Sequence, residues 1–167
     1  KAKDGRVIMS TQAVKEYLGQ FGRGGDILTF EATTATVELA AQAVGVEPAR
    51  IAKTLSLQGK ESPLIIVMAG DAKLYNGAYK AQFGLKAKML TPEEALEKTG
   101  HAVGGVCPFA LPEGIPVYLD VSLQRFSTVF PACGSSHNAI ELTPQELFDY
   151  SRAAGWVDVC KGWREEE

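Results

Sequence analysis

The chain has 167 residues, 46% of them hydrophobic and 22% charged, with 17 basic against 20 acidic side chains and a net charge of −3. That length fits one domain able to bury about 68–70% of its unfolded surface without staples, and the charge balance argues against a protein that coats long duplexes, leaving only capture of a nucleic-acid end by a local basic patch. No apolar run nears the roughly 18 residues of a membrane helix, the N-terminal KAKDGRVIMS lacks an apolar signal core, and three widely spaced cysteines (Cys107, Cys133 and Cys160) make neither a disulfide framework nor a CxxC pair, so the reducing cytoplasm is the expected location.

In chain order, Ser10 is expected to cap a short helix, TQAVKEYLGQF, with Val14, Tyr17, Leu18 and Phe21 on one face. GRGGD breaks it, closing an N-terminal helical extension over residues 1–26. ILTFEA, Ile27 to Ala32, reads as a strand. TVELAAQAVGV is a helix with Gly45 at C′. Pro48 starts a helical turn that becomes a strand near Ala52, and the apolar run PLIIVMAG is short enough for a buried strand, so Lys53 to Ala69 reads as a hairpin. NGAYKAQFG is a helix with Tyr79 and Phe83 inward. TPEEALEKTG carries a cap at Thr91, Pro92 at the first helical position, a capping box through Glu94 and a stop at Gly100. IPVYLDVSL, STVFPA and NAIELT read as strands, and TPQELFDYSRAAG repeats the helix start at Thr143, Pro144 and Glu146, with Gly155 as its stop and a solvated REEE tail beyond. Hairpin-spaced strands among scattered helices predict an α+β domain spanning 1–167 rather than a regular βαβ series.

Several positions carry candidate chemistry. In strict alternation Lys53 shares a strand face with Leu55 and Leu57; its ammonium either snorkels to an edge or stands at a cleft wall and binds phosphate. In VGGVCPFAL, Gly104 and Gly105 allow close backbone approach, so their N–H groups either converge on an anion or oxyanion or simply turn the chain, with Pro108 stiffening the loop. Cys107 is a nucleophile only if a base such as His101 or His137 lies within hydrogen-bond reach; otherwise it is a small buried hydrophobe. CGSSHNAIEL puts Gly134, Ser135, Ser136, His137 and Asn138 in a polar loop ahead of a strand. Cys133 and His137 have no second ligand pair, so no metal site is expected. Asp120, ending VYLD, caps the next turn or orients a neighbour. The run Thr33 to Thr36 opens a helix whose dipole favours an anion.

Taken in order, RIAKTLSL, PLIIVMAGD, AKML, TGHAVGGVCPF, PVYLD and CGSSHNAIELTPQEL resemble the YbaK and prolyl-tRNA synthetase-associated editing domain family over roughly Thr33 to Asp149. The resemblance implies a single compact α+β domain with a central, mixed, barrel-like sheet surrounded by helices. It implies aminoacyl-tRNA deacylation, that is, hydrolysis of the ester joining a wrong amino acid to the 3′ end of a tRNA, with no cofactor. The implied partners are the tRNA 3′ end and prolyl-tRNA synthetase, and the free-standing, trans-editing kind of member fits this chain. The family's lysine maps onto Lys53 and its glycine loop onto Gly104, Gly105, Val106, Cys107, Pro108 and Phe109. Ala110 and Cys107 stand where many relatives have glycine and serine, which weighs against a catalytic Cys107. Lys53, Gly104 and Gly105 are the implied catalytic residues; Val106 to Phe109, Gly134 to His137, Thr33 and Asp120 are implied substrate contacts. Two other readings stay open: a non-catalytic module that binds tRNA ends or aminoacyl-nucleotides, and a cysteine-dependent hydrolase using Cys107.

Overall fold

The computed structural model describes residues 2–164, with side chains from Ser10 onward; the end of the acidic tail, 165–167, lies outside the described residues. Helix α1 (Ala2–Gly19), strand β1 (Leu28–Thr29) and helix α2 (Val37–Val44) precede the hairpin of β2 (Ile51–Leu57) and β3 (Leu64–Ala69). A short β4 (Lys73–Leu74) leads to α3 (Asn76–Phe83) and α4 (Pro92–Thr99), followed by β5 (Val117–Asp120), β6 (Phe130–Pro131) and β7 (Asn138–Ala139). Helix α5 (Pro144–Tyr150), β8 (Gly155–Val157) and β9 (Cys160–Lys161) finish the fold.

A five-stranded sheet in the order β6-β2-β3-β5-β8 organises these elements. β2 and β3 are antiparallel, whereas β6 on β2, β5 on β3 and β8 on β5 run parallel, so the sheet is mixed and the domain is α+β. β1 with β7, and β4 with β9, form two small antiparallel ribbons. β3 is buried at every position, which is why LIIVMA reads as an unbroken apolar run rather than an alternating one. Val14 and Leu18 bring α1 into the same core as Ile65, Met68, Phe109 and Leu147, all with no exposed surface. Each such large side chain contributes about 1.5–3 kcal/mol by leaving water.

The local signals of the sequence mostly become elements. Thr91–Glu94 and Thr143–Glu146 form reciprocal capping boxes with proline at the first helical turn. Thr36 caps α2 by accepting from the Leu39 N–H, and Gly45 ends it in the left-handed region at φ 85°. Several expectations change. Ser10 lies inside α1 and is no cap; its hydroxyl turns inward to His101 Nδ1. The strand expected over Ile27–Ala32 shortens to Leu28–Thr29, because its partner β7 is itself only two residues long. STVFPA and IPVYLDVSL shorten in the same way, the second where Asp120 caps a 3₁₀ turn over Val121–Arg125. Helix α5 stops at Tyr150 rather than Gly155: Arg152 takes a left-handed φ of 54°, the Ala153 N–H bonds back to the Phe148 carbonyl, and Gly155 opens β8 instead.

Candidate functional site

Three loops meet at one end of β2. The Thr34 N–H donates to the Ser136 carbonyl at 2.6 Å, and the Thr33 hydroxyl reaches the same oxygen at 3.3 Å. This ties the N-terminal approach of α2 to the loop between β6 and β7. The glycine turn packs on that loop from the other side. A Cβ on Gly105 would lie 2.6 Å from the Ser135 nitrogen and 2.8 Å from the Gly134 carbonyl carbon, so only glycine allows the approach. Gly104 sits at φ 96°, against Ala35 and Ser136. Asn138 holds the third loop in shape, accepting from the Cys133 N–H and donating to the Cys133 carbonyl.

Between these loops and β2 lies a cavity of about 300 Å³. Lys53, Gly104 and Val106 line it, as do Thr34 and the first turn of α2. Apolar walls come from Val37, Ala40, Ile51 and Phe130, and the exposed side chains of Met89 (48%) and Val103 (63%) stand at its rim. Lys53 is half-buried, opposite Met68 in the β2–β3 register. Desolvation pushes its ammonium below the usual lysine range, while the Asp71 carboxylate pulls it back. The Thr34 and Thr54 hydroxyl oxygens, in two residues of the lining, are buried and without a hydrogen-bond partner.

The remaining candidates take other places. Gly105, Cys107, Pro108 and Phe109 are buried behind the turn, and the Gly105 N–H is already donated to the Ala102 carbonyl at 2.9 Å, which removes it as a free oxyanion donor. Cys107 has no exposed surface, and burial pushes its thiol up to about 12. His101 lies close by, with Nε2 3.5 Å from the Cys107 sulfur. That nitrogen is only 2.8 Å from the Phe109 carbonyl, to which it must donate, so it holds a proton and is no base toward the thiol. A cysteine-dependent route therefore has neither a thiolate nor a base. Gly134, at φ 90°, packs on Ser10. The Ser135 hydroxyl accepts from the His137 N–H, and the exposed His137 ring donates from Nδ1 to the Ala32 carbonyl, so both shape the third loop from outside. Asp120, fully buried, accepts from the Ser122 and Val159 N–H groups at 2.9 Å each and is a capping residue outside the lining. Thr54, Met89, Val103 and Phe130 are among the lining residues that the sequence does not single out.

Among the described residues no helix is long and apolar enough to cross a membrane. The chain is 53% identical over 156 residues to the Bacillus subtilis (strain 168) protein YwhH, covering 93% of this chain and 99% of that one. It is 31% identical over 114 residues to the Enterococcus faecalis (strain ATCC 700802 / V583) protein EbsC, described as a "putative Cys-tRNA(Pro)/Cys-tRNA(Cys) deacylase", covering 67% and 70% of the two chains. A solved structure described as a "putative trans-editing enzyme for prolyl tRNA synthetase" superimposes with a TM-score of 0.83 at 32% identity, over 92% of this chain and 98% of the other. The model of the aminoacyl-tRNA editing domain matches residues 31–150, a span that holds β2, the glycine turn and all three converging loops. The chain belongs to the aminoacyl-tRNA editing domain family.

Proposed function

We propose that the protein is a trans-editing aminoacyl-tRNA deacylase that hydrolyses the ester of a mischarged tRNA, tRNAPro carrying a small amino acid such as alanine or cysteine. The observation that carries the reading is the single cavity of about 300 Å³ that has Lys53 and the Gly104 turn in one lining. Its size is at the lower end for a small-molecule site, which suits an aminoacyl end rather than a larger ligand. The names of EbsC and of the trans-editing structure point the same way.

In this reading the Lys53 ammonium binds a phosphate of the terminal nucleotide as a point charge. The exposed Met89 and Val103 side chains offer an apolar rim against which the terminal base stacks. A water, positioned by the terminal ribose hydroxyl, attacks the ester carbonyl. Its oxygen bonds to the carbonyl carbon, the carbon–oxygen bond to the ribose breaks, and the water's proton ends on the departing ribose oxygen. The amides of the two lining residues of the turn, Gly104 and Val106, stabilise the tetrahedral oxyanion, each worth about 3–4 kcal/mol by analogy with other oxyanion donors, while the Gly105 N–H stays on the Ala102 carbonyl. The biological need follows from the small free energy, about 1–3 kcal/mol, with which a synthetase pocket separates side chains differing by one methylene.

The test is release of amino acid from a panel of mischarged tRNAs, led by alanyl- and cysteinyl-tRNAPro. Lys53→Ala is expected to lower kcat/KM at least about tenfold, the loss of one charged contact. Binding of the panel with no turnover by the wild type would instead favour a non-catalytic module for tRNA ends, and normal turnover by Lys53→Ala would remove the lysine from the mechanism.

A further inference from the structure

Six consecutive residues of β2, Ile51 to Ser56, line the cavity. Side chains along a strand alternate between two faces, so a cavity touched by all six runs along the edge of the strand and not over one face. That edge is paired at both ends. β6 covers it at Ile51 and Ala52. At the other end the Leu90 N–H donates to the Ser56 carbonyl at 3.0 Å and the Gln58 N–H donates to the Lys88 carbonyl at 2.8 Å. These two bonds fix the parity: the main-chain groups of residues 52, 54, 56 and 58 point to this edge, and those of 53, 55 and 57 point to β3. Only Thr54 lies between the paired ends. Its N–H and C=O face the cavity, and among the described residues nothing pairs with them.

An open backbone edge one residue long is a template for one residue. In a hydrogen-bonded antiparallel pair, two residues facing each other exchange both bonds, each giving its N–H to the other's C=O. An aminoacyl ester carries the matching set, an α-ammonium that donates and an ester carbonyl that accepts. A longer peptide would collide with β6 on one side and with the Lys88–Leu90 segment on the other. We infer that Thr54 binds the aminoacyl group as a one-residue β-strand, its C=O accepting from the substrate's α-ammonium and its N–H donating to the ester carbonyl. The carbonyl's second lone pair is left for the glycine turn across the cavity, so the Thr54 N–H joins the oxyanion donors. Recognition of this kind reads the main chain of the amino acid and is blind to its side chain. Selection among amino acids is then left to the apolar walls, and the α-ammonium becomes an obligatory handle.

The inference rests on the deacylase reading, and its test separates the two. Alanyl-, lactyl- and propionyl-tRNAPro differ only in an α-ammonium, an α-hydroxyl or a hydrogen; cysteinyl- and 3-mercaptopropionyl-tRNAPro form the second set. Each kcat/KM is divided by the uncatalysed hydrolysis rate of the same ester, because the ammonium also activates the ester chemically. The expected order is alanyl above lactyl above propionyl, with the last at least about 100-fold below the first, and the mercaptopropionyl ester is expected to fall equally far. Equal normalised rates for the ammonium and hydrogen members overturn the inference and leave the deacylase reading intact, whereas no hydrolysis of any ester overturns both. The residue is located by amide NMR of the whole chain with 3′-alanylamino-3′-deoxyadenosine, the non-hydrolysable amide. The Thr54 and Gly104 amide signals are expected to move together and hydrogen exchange at Thr54 to slow; movement at Gly104 with Thr54 unchanged overturns the inference.

Discussion

The His101 imidazole closes the glycine turn from behind by donating from Nε2 to the Phe109 carbonyl at 2.8 Å. Its Nδ1 is thereby an acceptor and takes the Ser10 hydroxyl of α1. One buried ring thus links the N-terminal helix to the far end of the loop that carries Gly104. Desolvation holds the His101 pKa below 6.5, with the Phe109 carbonyl opposing the shift. The unfolded chain therefore takes up a proton at a pH where the folded chain does not. The resulting stability is complete above about pH 6.5 and declines as the pH falls through the lower, folded-state pKa. His101→Gln is expected to flatten that part of the stability–pH curve in urea titrations from pH 4.5 to 7.5, while keeping the hydrogen bond to Phe109 in reach. An unchanged slope would place the titration elsewhere.

Burial decides the fate of Cys107. With the thiol pushed up to about 12, roughly one molecule in 10⁵ is a thiolate at pH 7. Cys107→Ala is expected to keep kcat/KM within about threefold of wild type and to lose about 1 kcal/mol of stability, the cost of removing one buried heavy atom. Native protein is expected to resist iodoacetamide at this position until unfolded. Loss of turnover in a variant that is still folded by circular dichroism would return the cysteine to the mechanism.

Much of the fold is legible in the sequence because its signals are local. The two Thr-Pro-x-Glu helix starts need only four residues each, and Gly45 and Gly100 end their helices at φ 85° and 81° without help from elsewhere. The short strands β4, β8 and β9 are not legible, since they span too few residues for any periodicity and exist through the partner they meet, whereas β1, β6 and β7 lie inside longer expected strands whose length the partner cuts back. The same division runs through the site. Alternation puts Lys53 on the face of Leu55, and the structure sets it opposite Met68. That β2 opens at Thr54 depends on where two distant segments, Phe130–Pro131 and Lys88–Leu90, stop pairing with it. No spacing within IAKTLSL records that. The left-handed Arg152 that ends α5 is equally silent, because glycine usually marks such a cap.

The two glycines of the turn are expected to respond differently to alanine. At Gly105 the new methyl would meet backbone, 2.6 Å from the Ser135 nitrogen, so the turn and the third loop must separate. Gly105→Ala is expected to cost about 2–3 kcal/mol, as overpacking against fixed atoms does, and to lower kcat at least about tenfold because the cavity wall shifts. At Gly104 the methyl finds contacts at 3.4 Å and beyond, and the penalty is the left-handed φ of 96° alone. Gly104→Ala should therefore cost only about 1–2 kcal/mol. Thermal unfolding and single-turnover deacylation of both variants check the ranking, and a Gly104→Ala that is less stable than Gly105→Ala would contradict it.

Thr34 offers a gain instead of a loss. Its hydroxyl oxygen is buried with no partner, although the residue is only 7% exposed. Its main chain does the positioning, through the N–H given to the Ser136 carbonyl. Valine has the same shape and preserves that bond while removing the unsatisfied polar atom. Since leaving a buried hydroxyl unpaired costs about 1–3 kcal/mol, Thr34→Val is expected to stabilise the protein by about 1 kcal/mol, after the slight loss of any partial solvation. For a chain of this size that raises Tm by about 2–4 °C. Thr34→Ser, which keeps the oxygen and deletes the methyl, should move Tm down. If the valine variant melts lower than wild type, the hydroxyl has a partner in solution, and a parallel fall in kcat/KM would identify that partner as substrate.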